Sequence, residues 1–169
     1  MNDTQSVDIL IQCSIRASVI LVYSRLIYRL WRGNNDQPHQ RSKEYYLWFA
    51  GWLLLMLHVV LSFHFVHHWH HSDAWNRTAR ETENLIGIRR GDGLWANYLM
   101  LTLWGMDLFR LYKAKKQSRV PSLAVDRVVA VSIGFMYINA TVVFGPMFYR
   151  YLAFPALLIA AYIWRMHKH

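Results

Sequence analysis

Long apolar runs, separated by short polar and mostly basic segments, organise this chain. A helix needs roughly 20 mostly apolar residues to cross the hydrocarbon of a bilayer. Runs at about 8–31, 45–68, 94–112, 122–144 and 147–165 meet or approach that length. The second is the most continuous. Pro121 suits the first turn of the fourth. Pro155 predicts a kink in the fifth, because it removes a backbone donor and crowds the preceding turn. The first run is interrupted by Arg16 and Arg25. A mid-membrane arginine costs at least ~2.5–3.5 kcal/mol on insertion scales. This run therefore crosses only where Arg16 meets a partner or water, and otherwise lies as an amphipathic helix on the surface. No basic stretch precedes it and no small-residue cleavage site follows, so it is expected to stay in the protein.

Residues 72–92 form the longest polar segment. Ala74, Trp75, Thr78, Leu85 and Ile88 recur near helical spacing there, with Ser72 or Asp73 to cap a helix and Gly91 to help end it. The expected fold is an all-α integral membrane protein. It is one domain over 1–169, a bundle of five transmembrane helices (four if the first does not cross) with a short surface helix in the outer loop.

Composition narrows the picture. Of 169 residues, 54% are hydrophobic and 17% charged, which excludes a disordered chain or a nucleic-acid-binding tail. The net charge of +9 then reads as a topology signal. Eleven cationic residues fall on one side of the spans: Arg29, Arg32, Arg41, Lys43, Arg110, Lys113, Lys115, Lys116, Arg119, Arg165 and Lys168. Five fall on the other: Arg77, Arg80, Arg89, Arg90 and Arg150. The asymmetry puts the N-terminus outside and the C-terminus in the cytoplasm, in an inner or plasma membrane. Expected partners are the lipid bilayer and other membrane subunits or a second copy; nucleic acid is not expected. Cys13 is the only cysteine, so no internal disulfide forms and no cysteine-rich metal site exists.

The chemistry concentrates in LHVVLSFHFVHHWHHS, which holds His58, His64, His67, His68, His70 and His71. On a continuous helix, His64, His67, His68 and His71 share one arc of ~100°. Their three- and four-residue spacings bring the rings within mutual reach. Neutral imidazole is the commonest protein metal ligand, so this ridge is expected to hold a transition metal (Fe, Cu or Zn). Four imidazoles on one helix do not close a tetrahedron without distortion. Added groups would come from Asp8, Asp73, Asn97 or Asn139, which the topology brings to the same level. A polar helix end resting at the membrane boundary is the plainer alternative.

Asp107 is a separate feature. An intramembrane carboxylate usually has a partner. Arg25 and Arg127 reach a similar depth, so an ion pair of Asp107 with one of them is expected to fix helix packing.

The run His64-Phe65-Val66-His67-His68 is similar to one histidine box, HxxHH, of the membrane fatty-acid hydroxylase and desaturase families. Those families hold two irons with several boxes on different segments. Here the resemblance covers this one box and implies no activity by itself. Three functions follow from the sequence. The first is a membrane-embedded metal-binding protein with its site at the extracytoplasmic end of the second span, acting in redox or metal-dependent chemistry. The second is a non-catalytic subunit or assembly factor of a larger membrane complex. The third is a b-type cytochrome, with haem b on His58 or His64 and on Met100, Met136 or a second protomer.

Overall fold

The computed structural model describes residues 3–32, 38–117, 119 and 121–140, together with helical positions at 151, 154, 155, 158, 159, 161, 162, 165 and 166. Among the described residues there are five continuous helices and no strand: α1 (Asp3–Arg32), α2 (Pro38–Leu61), α3 (His71–Ile86), α4 (Gly93–Lys116) and α5 (Leu123–Ile138). A π-helical turn, Ser62–Val66, continues α2. The first run thus forms one helix from end to end. Arg16 donates to Gln12 Oε1 one turn earlier (2.9 Å), on an exposed face. Within the described residues, Gln5–Trp31 and Ser42–Val66 are long and apolar enough to cross a membrane. Most of the fifth run and the end of the fourth lie outside the described residues.

α1 and α2 pair along most of their lengths, α4 lies against α2, and α5 and α3 each lie against α4. Two sets of contacts fix the ends. Asp8, Val66, Leu94 and Ala140 surround one cavity, so the starts of α1 and α4 and the ends of α2 and α5 meet there. At the opposite end Asp126 joins Arg29 and Arg110. Neighbouring helices therefore run antiparallel, as short connections require.

The core between these ends is aromatic. Trp104 is fully buried, its ring 4.3 Å from Trp48 and edge-on to Tyr137 at 5.8 Å. Gly51 makes room: a Cβ there would lie 3.3 Å from the Trp104 ring. Ser18 Oγ is 2.7 Å from both the Gly51 carbonyl and the Tyr137 hydroxyl, which ties α1, α2 and α5 through one small polar residue. Large aliphatic and aromatic side chains face outward instead. Leu99, Leu103, Met106 and Phe109 line the exposed face of α4, and Val128, Val131 and Phe135 that of α5. Small polar groups inside and apolar groups outside are the distribution that lipid permits and water penalises.

The polar cluster at the far end corrects the expected ion pair. Asp107, buried on α4, accepts from Arg110 Nε (3.0 Å) and Nη2 (2.7 Å) on its own helix. It also accepts from Trp48 Nε1 on α2 (2.9 Å). Arg110 bridges on to Asp126 of α5, which Arg29 of α1 approaches at 3.7 Å. Arg25 does not pair directly with Asp107; its guanidinium carbon lies 3.9 Å from the centroid of Trp48, over the ring face. Arg127 is exposed. The partner is Arg110 because residues three apart on a helix share a face, and no other helix has to be positioned to supply the charge.

Candidate functional site

The histidine run does not form one ridge. α2 ends at Leu61, and the π turn closes with the His67 amide donating to Ser62 O (3.1 Å). The Trp69 amide then donates to Phe63 O (2.9 Å) and the His70 amide to His67 O (2.7 Å). His68 (φ 46°) and Trp69 (φ 62°) take left-handed backbone conformations, and α3 starts afresh at His71. Two consecutive non-glycine residues in that region are uncommon and strained. The four histidines are thereby spread over a π turn, a sharp corner and a new helix.

Each ring has its own surroundings. His64 Nδ1 accepts from Trp69 Nε1 at 3.3 Å. His67 lies against Phe63, with ring centroids 5.6 Å apart. His71 contacts the Tyr98 hydroxyl through Nδ1 (3.3 Å) and meets the Trp95 ring edge-on. His68 and His70 are exposed. Among the described residues no three His, Cys, Asp or Glu side chains gather into a group able to hold a metal ion. Asp73 is exposed, and Asn139 donates to Phe135 O of its own helix (3.0 Å).

The corner instead turns α3 back over the end of the bundle. Residue 70, not Ser72 or Asp73, holds the N-cap position, without a side-chain cap. Gly87 ends the helix at φ 74°, where glycine is favoured. Gly91 has another task. A Cβ there would lie 2.5 Å from the Trp75 ring, and one on Gly93 would lie 3.4 Å from Thr78. α3 thus rests on bare backbone ahead of α4. Gly91→Val is expected to lift the Trp75 ring and cost about 1–3 kcal/mol, as overpacking does. Amide exchange over 71–86 reads this directly; unchanged protection there would contradict the docking role of Gly91.

Beneath α3 lies a cavity of about 520 Å³. Its apolar lining comes from four helices: Ile11, Ile15 and Val19 on α1, Leu55 and Val59 on α2, Met100 and Leu101 on α4, Met136 on α5. Its polar lining is Asp8 and Gln12, His58, Ser62 and His67, Arg77, Thr78 and Glu81 of α3, and Asn97 and Tyr98 of α4. Arg77 and Glu81 pair with each other at 3.1 Å. Burial, followed by the nearby Arg77, lowers the His67 imidazole from its ordinary value.

Of the expected site residues, the cavity brings together Asp8, His67 and Asn97, and leaves His64, His68, His71, Asp73 and Asn139 outside. It adds His58, Arg77 and Thr78. A signal for the α3 residues was present: Ala74, Arg77, Thr78 and Glu81 recur at helical spacing on one face. From the sequence His58 is a candidate haem ligand only, because on a straight helix it points away from the ridge of His64, His67, His68 and His71. No known protein family, curated protein or solved structure matches the chain.

Proposed function

We propose that this chain is an integral membrane protein with α1, α2, α4, α5 and residues 147–165 across the bilayer, its N-terminus outside, its C-terminus cytoplasmic, and α3 over the outer boundary. We propose further that it binds one amphiphilic, lipid-like molecule beneath α3. The observation that carries this reading is the cavity: about 520 Å³, apolar along four helices and polar under α3. Small-molecule sites commonly enclose ~300–1,000 Å³, with mostly apolar walls and a few placed polar groups. The lipid-compatible outer faces support the spans.

Native mass spectrometry of the protein taken from its own membrane in a mild detergent tests the binding. One lipid-sized adduct per chain is expected. Val59→Trp, which fills the cavity, should abolish it, whereas Val60→Trp, at an exposed position, should not. An adduct that survives Val59→Trp would sit elsewhere.

A transition-metal centre, a haem b site and a scaffolding role in a larger complex are the competing proposals. The first is the site expected on His64, His67, His68 and His71, which the corner at His68 and Trp69 spreads apart. Elemental analysis with an absorption spectrum separates them. Under the amphiphile reading, Fe, Cu and Zn are well below one per chain and no Soret band appears.

A further inference from the structure

We infer that the cavity selects a long-chain molecule bearing an uncharged hydroxyl, and that His58 Nε2 is the acceptor that recognises it. This rests on the reading of the cavity as an amphiphile site and specifies its ligand.

The argument starts from one hydrogen bond. His58 Nδ1 lies 3.0 Å from the carbonyl oxygen of Ile11 on the neighbouring helix. A carbonyl only accepts, so Nδ1 carries the proton. A neutral imidazole has one N–H, which leaves Nε2 as a bare lone pair. The ring shares its stretch of cavity lining with Ile11, Ile15, Leu55 and Val59, and such surroundings favour the neutral form. No carboxylate pairs with it among the described residues. Nε2 has no hydrogen-bond partner among them either, and the ring belongs to the cavity lining. α1 thus fixes the tautomer of a ring on α2 and presents an acceptor of fixed direction.

The chemistry of the partner follows. A donor is needed. A cationic donor would bring a formal charge into an apolar wall, at a cost of several kcal/mol unless a buried counter-ion met it. The lining holds two carboxylates and neither is a buried counter-ion: Glu81 is engaged by Arg77 at the exposed roof, and Asp8 is exposed near the start of α1. A hydroxyl has no such cost, and its own lone pairs have a donor one turn further along, the hydroxyl of Ser62 in the same lining. The chain of such a molecule would lie against Val19, Leu55, Met100, Leu101 and Met136.

The test uses the full-length protein in lipid nanodiscs and two photoreactive probes, a 16-carbon alcohol carrying a mid-chain diazirine and its methyl ether. Labelled residues are mapped by mass spectrometry. In the wild type, cavity-lining peptides should be labelled about fivefold more by the alcohol, the factor that a single net hydrogen bond supplies. His58→Asn retains an amide nitrogen at the Nδ1 position and reaches nothing at Nε2, so its ratio should fall to about one. His58→Gln places an amide near the Nε2 position and should keep part of the preference.

A wild-type ratio of one overturns the hydroxyl inference and leaves the amphiphile site standing. Absence of labelling in the cavity by either probe overturns the site itself. A preference undiminished in His58→Asn removes His58 from the role. The wild-type ratio decides the ligand chemistry even where a variant fails to fold.

Discussion

Asp107→Ala is expected to destabilise the bundle by about 3 kcal/mol, more than any other single change at the far end. The carboxylate is buried and takes three donors, from Arg110 and Trp48. Removing it strands the Arg110 guanidinium and the Trp48 indole N–H together. Breaking a buried ion pair by deleting one partner costs ~3–5 kcal/mol. The lower figure applies because the Arg110 side chain is 28% exposed and keeps Asp126. Unfolding of the purified protein by SDS titration, followed by tryptophan emission, measures the loss. A double Asp107→Leu, Arg110→Leu variant should recover much of it, because no uncompensated charge is left at that pair. A loss below ~1 kcal/mol in the single variant would show that the cluster does not join the helices.

Trp104→Ala is the second large effect, also about 3 kcal/mol. Trp104 is the fully buried side chain on which α2, α4 and α5 converge. Truncating a buried Trp costs ~3–5 kcal/mol in water-soluble cores, through transfer and cavity terms. With the bundle in lipid, as proposed above, the transfer term fades and lost packing remains, which argues for the low end. Trp104→Phe separates ring from nitrogen. The indole N–H has no hydrogen-bond partner among the described residues. Deleting it while keeping an aromatic ring should therefore change stability by less than ~1 kcal/mol. The same SDS titration reads both variants. Equal losses in the two would mean that the N–H is satisfied and matters more than the ring.

Much of the fold was legible because helix existence follows from long periodic runs. α1, α2, α4 and the start of α5 stand where the apolar pattern placed them. The surface helix also stands there, with Gly87 rather than Gly91 ending it. The corner after α2 was not legible. LHVVLSFHFVHHWHHS holds no Gly or Pro, the residues that announce a chain reversal. Its turn is made by His68 and Trp69, whose left-handed backbone is costly locally and is held in place by tertiary context. One missed corner moved every histidine beyond it off the expected ridge. Asp107 was legible as a buried carboxylate, but its partner was sought on other helices when Arg110 sat one turn along its own. The cavity was illegible for a further reason. It exists only once α3 folds back, and His58 gains its meaning from a carbonyl on another helix.

That corner stores energy as well as direction. A non-glycine residue in the left-handed region sits roughly 1–2 kcal/mol above its relaxed state, and His68 and Trp69 do so in succession. The spring is wound while α3 stays seated on Gly91 and Gly93. The contacts that seat α3 on Gly91 and Gly93 must therefore outweigh the strain of those two residues, so the fit of one small helix holds a backbone that the local sequence alone would not choose.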